Sequence, residues 1–303
     1  MKSILKRFAK IISNLLLKVL SLESIKKEIQ RDLFNSQIQQ RHLQLFYQKL
    51  LANNGPFPKL SDTGFRVYSQ TNEDGILLYI FSLIGTTNKI CLDVAFASPF
   101  EANTTNLIVN NGWNGILICG AENEKKNTEK YFSSHPDTNL FPPNIYKKWV
   151  TRDNINEIVK QGIKDCNLDE RTIDLFSLDI DGVDYWIWKA LDAVEPRVVV
   201  LEYHNVLGEK SLTVPYSKDF NRFNIHPDYM GASLPAFVKL AKEKGYRLVG
   251  CNLHGYNAFF IKKGIAEDII PEVSVQDCLN QPQAVDAHKN RYPEVADFDW
   301  LNV

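Results

Sequence analysis

The stretch DLFSLDIDGVDYWIWKALDAVEPRVVVLEYHN, residues 174–205, decides the fold of this chain. Two apolar runs typical of strands, Ile173–Leu178 and Val198–Leu201, are joined by a short helical segment. A strand, a helical crossover and a second strand form the repeating unit of a parallel α/β sheet. Ligands of such sheets bind at the carboxyl ends of the strands. The stretch therefore predicts both a fold class and the edge of the sheet that carries function.

Acidic residues follow both of these strands. Asp179 and Asp181 come after the first strand, and Glu202 ends the second. Because parallel neighbours end at the same edge, we expect the three carboxylates to lie close together. Burying several carboxylates is costly unless positive charge compensates them. The pattern predicts a ligand or metal site at this edge.

Strands and helices alternate through most of the chain from Lys59 onward. Such alternation predicts a doubly wound, mostly parallel sheet of seven strands. We divide the chain into an N-terminal helical region, residues 1–58, an α/β domain, residues 59–265, and a C-terminal tail, residues 266–303. The tail contains prolines and acids and is predicted to be irregular. The predicted strands are Lys89–Val94, Gly115–Cys119, Lys147–Thr151, Ile173–Leu178, Val198–Leu201, Tyr246–Cys251 and Ala258–Lys262.

Composition excludes some classes of function. The 303 residues are 44% apolar and 23% charged, as in ordinary globular proteins. A net charge of −1 argues against a general nucleic-acid binder. The five cysteines are odd in number and lack metal-type spacing, which favours reduced thiols in a cytoplasmic protein. The motifs of P-loop, nicotinamide, serine-hydrolase and zinc-protease enzymes are absent from the sequence.

The N-terminal segment, residues 1–22, is amphipathic and basic. Apolar residues recur with a helical period, and no acid precedes Glu23. The apolar stretch is too short and too interrupted for a membrane span, and it lacks a signal-peptide cleavage site. Two interpretations stay open. The helix lies on the inner face of an anionic membrane, or it packs on the protein body or on a second subunit in a homo-oligomer.

Short motifs in a fixed order carry a family resemblance from about residue 60 to 262. The chain resembles the FkbM-type branch of class I S-adenosylmethionine-dependent methyltransferases and the related macrocin O-methyltransferases. The matching motifs are Tyr68-Ser69-Gln70, Glu73-Asp74-Gly75, Asn103-Thr104, Gly112-Trp113-Asn114-Gly115, Asp153-Asn154-Ile155-Asn156, Ser177-Leu178-Asp179-Ile180-Asp181-Gly182, Asp184-Tyr185-Trp186, Pro196-Arg197, Glu202-Tyr203 and Asn257-Ala258-Phe259-Phe260.

The resemblance implies a Rossmann-like sheet whose last strand is antiparallel, with Asn257 at the same edge as the acids. It also implies S-adenosylmethionine as cofactor and a saccharide or another hydroxylated small molecule as methyl acceptor. The residues that it places at the cofactor are Gln70, Glu73, Asp93, Asn103, Thr104, Cys119 and Glu122. For Glu73 and Asp74, a cap at the start of a helix is an equally open interpretation.

The chain departs from the family pattern on the cofactor side. Ala95 and Pro99 stand where glycine is expected after the first strand, and proline removes an N–H donor. Cys119 stands where a carboxylate usually holds the ribose hydroxyls, and Glu122 lies three residues further on. These departures predict weakened cofactor binding.

The acidic residues have two candidate roles. Asp179, Asp181 and Glu202 are hard oxygen ligands suited to Mg²⁺ or another divalent cation, as the resemblance also implies. Alternatively, Asp181 and Asp184 cap the following helix, and Asp181-Gly182 forms a turn. Asp179 and Asp181 are candidate catalytic residues, and His204 is a candidate to accept a proton, with His254 a weaker one.

Three hypotheses about function therefore remain. The first is an O-methyltransferase, with a divalent metal at the carboxylates. The second is a catalytically degenerate protein of the same fold that acts as a binding or scaffold partner. The third keeps the fold and uses the carboxylates for other sugar or metal chemistry.

Overall fold

The computed structural model describes residues 36–168 and 171–303. It divides into two units, one ending at Phe46 and the other spanning Tyr47–Val303. Residues 36–46 of the first unit are helical. Within the described ranges, no helix has the length and apolarity needed to cross a membrane. The amphipathic segment 1–22 lies outside the described residues, so its membrane or protein contact stays a prediction.

The second unit contains a seven-stranded sheet with the order β3-β2-β1-β4-β5-β8-β7. Strands β1 to β5 run parallel, whereas β8 is antiparallel to both of its neighbours. This is the Rossmann-like strand arrangement of the methyltransferase type, as predicted. The strands are β1 Ile90–Val94, β2 Asn114–Cys119, β3 Asn144–Lys147, β4 Thr172–Leu178, β5 Glu195–Glu202, β7 Tyr246–Cys251 and β8 Asn257–Lys262.

Helices follow or separate nearly all of these strands. Their apolar sides join the sheet in one large core that includes Phe176, Val199 and Phe260. Trp188 is buried in that core and lies against Phe237 and Phe260, so it anchors a helix to the sheet. The helices are α1 Glu73–Ile84, α2 Thr105–Asn111, α3 Glu122–Ser134, α4 Ile155–Asp165, α5 Asp184–Ala190, α6 Leu234–Lys244, α7 Val275–Leu279 and α8 Pro282–Val295.

The register of the strands brings their carboxyl ends to one edge. Val94 pairs with Leu178, and Leu178 pairs with Leu201, so β1, β4 and β5 end at the same level. Because β8 runs in the opposite direction, its first residue, Asn257, pairs with Glu202, the last residue of β5. The predicted position of Asn257 beside the acids is confirmed.

Two expectations about secondary structure are wrong. The third strand is Asn144–Lys147 rather than Lys147–Thr151. The C-terminal tail is largely helical, because Ser274 and Asp277 form a capping box for α7 and Pro282 occupies the first turn of α8. The chain end also forms a small antiparallel pair between β6, Leu212–Thr213, and β9, Leu301–Asn302.

Candidate functional site

A cavity of about 400 Å³ opens at the carboxyl ends of β1, β2, β3 and β4. Its volume lies within the range of small-molecule sites in proteins. Four elements of the sheet contribute to it, so the fold positions its walls rigidly. The predicted site residues that line it are Gln70, Asp93, Asn103, Cys119, Asp179 and Asp181.

The loop after β1 forms the floor of this cavity. Asp93 is buried, and its Oδ2 accepts a hydrogen bond of 2.7 Å from the Thr104 hydroxyl. Burial and the nearby charge of Asp179 raise the pKa of Asp93, whereas the hydrogen bond from Thr104 lowers it. The net effect is a pKa of about 7. Ala95 has a positive φ of 71°, a conformation that glycine adopts without strain. The backbone therefore keeps the glycine-type turn, with one methyl group added at the cavity.

The acid that reaches the cavity after β2 is Glu124, not Glu122. Glu122 is exposed and pairs with Lys126 on the outer face of α3. Glu124 lines the cavity, and its Oε2 accepts a hydrogen bond of 2.8 Å from the Ala121 N–H. Glu124, one half-turn after Glu122, therefore lines the cavity in place of Glu122.

The segment before α1 contributes only Gln70 to the cavity wall. Glu73 is fully buried and accepts hydrogen bonds from Thr71, Asn252 and Asn257, which tie α1 to β7 and β8. Thr104 is likewise buried and held by Asp93. Glu73 and Thr104 therefore support the site from behind and do not line the cavity.

Asp179, Asp181 and Glu202 converge as predicted. One carboxylate oxygen from each lies within 4.8 Å of the others, which is close enough for the three to share a metal ion. Among the residues that the structure describes, no other group of three acids, histidines or cysteines lies this close together. Asp179 and Asp181 line the cavity, and Glu202 lies beside them at the end of β5. The arrangement places three carboxylates next to a cavity that a ligand can enter.

Positive charge reaches the cluster from a distant loop. The guanidinium group of Arg222 contacts both oxygens of Asp181 at 3.1 Å, in a two-pronged ion pair. Neither Asp181 nor Asp184 caps the following helix, whose N-cap residue is Val183. The Asp184 carboxylate instead accepts hydrogen bonds from the N–H groups of Ile180 and Gly182 in the turn before the helix. Asp181 is thereby left facing the cavity.

The pKa values of Asp179 and Glu202 are both raised. Burial, together with the charges of Asp184 and Asp181, raises the pKa of Asp179 to about 7. Burial and the same group of carboxylates, with Asp179 first among them, raise the pKa of Glu202 well above its ordinary value, and the two side chains are hydrogen bonded. A coupled pair of carboxyl groups such as this one keeps its protons to a higher pH than separate carboxyl groups do.

His204 lies outside the cavity, contrary to its predicted role. It is buried, and its Nε2 is 2.8 Å from the carbonyl oxygen of Asp228. Burial lowers its pKa to about 4, so the ring is neutral. Its ring packs against Trp300, so His204 lies in the core rather than in the carboxylate cluster.

Two residues of the site were missed from the sequence. The sequence pattern around Glu124 could have indicated its position, because an acid at the third position of a helix commonly turns back to the start of the helix. No sequence pattern indicates Arg222, because it belongs to a short turn, Arg222–Asn224, and lies 41 residues after Asp181.

Comparison of this chain with known proteins finds similarity to solved structures only. No family model and no curated protein matches the chain. A cyclopropane synthase from Mycobacterium tuberculosis is 14% identical, with a TM-score of 0.35 over 61% of this chain and 66% of that one, slightly less than two thirds of its length. A glycopeptide N-methyltransferase complexed with S-adenosylmethionine is 11% identical, with a TM-score of 0.33 over 59% and 84%. An O-methyltransferase family protein from Burkholderia thailandensis is 9% identical, with a TM-score of 0.38 over 76% and 72%.

Proposed function

We propose that the protein is an S-adenosylmethionine-dependent O-methyltransferase that acts on a saccharide or another hydroxylated small molecule. One observation carries the proposal: the cavity at the carboxyl edge of β1, β2 and β4 joins a nucleoside-sized space to a cluster of carboxylates. In a parallel sheet of this topology, ligands bind at that edge. The carboxylates also favour a positively charged ligand, and the methyl donor is a sulfonium cation.

The cavity residues fit this cofactor. Asp93, Gln70 and Asn103 provide polar groups for the amino-acid end, close to the glycine-type turn at Ala95. In this proposal Glu124, which lines the cavity, accepts hydrogen bonds from the ribose hydroxyls, a role that the Cys119 thiol does not fill.

Asp179 suits the role of general base. Bound S-adenosylmethionine supplies an electrophilic methyl group. The Asp179 carboxylate would accept the proton of the acceptor hydroxyl when that oxygen is methylated. A base with a pKa of about 7 is efficient near neutral pH.

A divalent cation is a finer part of the proposal. Carboxylate oxygens are the ligands that Mg²⁺ prefers, and three of them lie within 4.8 Å of one another. Binding an ion there would displace the proton of Glu202 and compete with Arg222 for Asp181. Metal binding should therefore release a proton and weaken as the pH falls.

Replacing Glu124 by glutamine tests the cofactor site. We expect the substitution to weaken binding of S-adenosylhomocysteine by about tenfold to a hundredfold, because a hydrogen bond to a charged acceptor contributes roughly 1.5–3 kcal/mol. The glutamine oxygen still accepts from the Ala121 N–H, so the start of α3 is preserved. Isothermal titration calorimetry measures the effect.

Glu122→Gln is the matched control, on the same helical turn but outside the cavity. It should leave the affinity within about twofold. Equal affinities for wild type and Glu124→Gln would remove Glu124 from the site. The absence of S-adenosylhomocysteine binding by wild type would refute the methyltransferase and favour the scaffold hypothesis.

A further inference from the structure

Asn257 has a buried carbonyl oxygen, Oδ1, without a hydrogen-bond partner among the described residues. The side chain is 3% exposed and lies at the start of β8. Buried amide oxygens in folded proteins are nearly always hydrogen bonded, because an unpaired one costs free energy. A bound ion or an ordered water molecule commonly accounts for such an atom. The Oδ1 atom of Asn257 is therefore a candidate to contact a bound species.

The position of Asn257 in the sheet places it beside the carboxylate cluster. It pairs with Glu202 across β5 and β8. Directly paired residues of antiparallel strands project to the same face of the sheet, with Cβ atoms about 4.5–5.5 Å apart. Glu202 is in turn hydrogen bonded to Asp179, which follows the neighbouring strand β4. Asp179, Glu202 and Asn257 therefore form a row along the edge of the sheet.

Glu73 fixes the orientation of the Asn257 amide group. Its Oε1 accepts a hydrogen bond of 2.9 Å from Asn257 Nδ2, so the amide nitrogen faces α1. Turning the amide over would set its oxygen against the Glu73 carboxylate oxygen. The hydrogen bond also polarises the amide, which makes Oδ1 a stronger electron-pair donor. The buried Glu73 thereby holds Oδ1 away from itself and available to another partner.

We propose that Asn257 Oδ1 is the fourth ligand of a divalent cation held by the three carboxylates at this edge, and that Glu73 positions it. The inference rests on the metal site of the proposed function and deepens it. Asparagine carbonyl oxygens join carboxylates as ligands of hard cations. A ligand whose other end is hydrogen bonded to a carboxylate is held in the orientation that the metal needs. Because the amide is neutral, it adds an oxygen ligand without adding to the repulsion among the carboxylates.

Isothermal titration calorimetry of the full chain with Mn²⁺ tests the role of Asn257. We expect Asn257→Ala to weaken Mn²⁺ binding by about tenfold or more, since the loss of even an outer partner of a metal ligand costs that much. Asn252→Ala is the matched control. Asn252 also donates to Glu73 Oε1, at 2.8 Å, but its own oxygen accepts from the N–H groups of Tyr256 and Asn257. This control should leave the Mn²⁺ affinity close to that of wild type.

A crystal of the wild-type protein soaked with Mn²⁺ provides a test that needs no variant. We expect the anomalous peak of Mn²⁺ in direct contact with Asn257 Oδ1. A water molecule between the metal and Asn257, or equal Mn²⁺ affinities of Asn257→Ala and Asn252→Ala, overturns the role of Asn257 alone. Absence of Mn²⁺ binding by wild type overturns the metal site as well. Titration of the same samples with S-adenosylhomocysteine tests the cofactor site separately from both.

Discussion

Replacing Arg197 by alanine lowers the free energy of unfolding by about 3–5 kcal/mol, the usual cost of leaving a buried charge without its partner. Arg197 contacts the fully buried carboxylate of Asp174 at 2.9 Å and donates to the carbonyl oxygens of Ile84 and Gly85 at the end of α1. The pair therefore ties β4 and β5 to α1. Urea denaturation followed by circular dichroism measures the loss.

The effect of Arg197→Ala also has a pH signature. Burial alone would raise the pKa of Asp174, but Arg197 and the N–H groups of Thr87 and Lys89 outweigh it and lower the pKa. A lowered pKa contributes stability that is lost as the pH falls through it, so wild type should lose more stability in acid than the variant.

Arg171→Ala is the control for this prediction, since Arg171 forms an exposed ion pair with Glu195. It should cost less than about 1 kcal/mol. Similar losses for the two variants would contradict the role of the Arg197–Asp174 pair.

Replacing Glu202 by glutamine stabilises the protein at neutral pH by about 1–2 kcal/mol, the usual gain from one stabilising substitution. The pKa of Glu202 is raised by burial and by neighbouring carboxylates. Wild-type stability therefore falls as the pH rises from the unfolded pKa toward the folded one. Glutamine does not titrate, and its amide still donates to Asp179. The gain should vanish at about pH 3, where the carboxyl group is protonated in both the folded and the unfolded state of wild type. Thermal unfolding at several pH values checks this.

Glu195→Gln is the matched control, at the opposite end of the same strand. Lys262 holds the pKa of Glu195 below its ordinary value, so this substitution should have the opposite sign and destabilise slightly at neutral pH. Glu202→Gln should also abolish the heat of Mn²⁺ or Mg²⁺ binding if the carboxylates hold a metal. A Glu202→Gln protein no more stable than wild type at any pH would contradict the raised pKa.

The fold could be predicted from the sequence because its buried strands are strongly apolar. Tyr246–Cys251 was predicted with its observed bounds, and the run Ile173–Leu178 differs by one residue. Strand β3 was misplaced because it is a short edge strand with only partly buried side chains. The tail was predicted as irregular because its prolines were interpreted as breakers, whereas Pro282 begins α8 and Pro293 lies in its last turn.

The site residues at strand ends could be predicted from the sequence, whereas those in loops could not. The convergence of Asp179, Asp181 and Glu202 follows from parallel strands ending at one edge. The pairing of Asp181 with Arg222 depends on a loop whose path no local pattern specifies. His204 was placed at the site because it follows Glu202 closely, but the chain turns into the core there.

A crystal structure of the protein with S-adenosylhomocysteine shows whether the cavity at the carboxyl ends of the strands binds the cofactor. We expect density for the nucleoside in the cavity bounded by Asp93, Ala95 and Glu124, with the sulfur atom toward Asp179. Density elsewhere, or an empty cavity in crystals soaked at a saturating concentration, would contradict it.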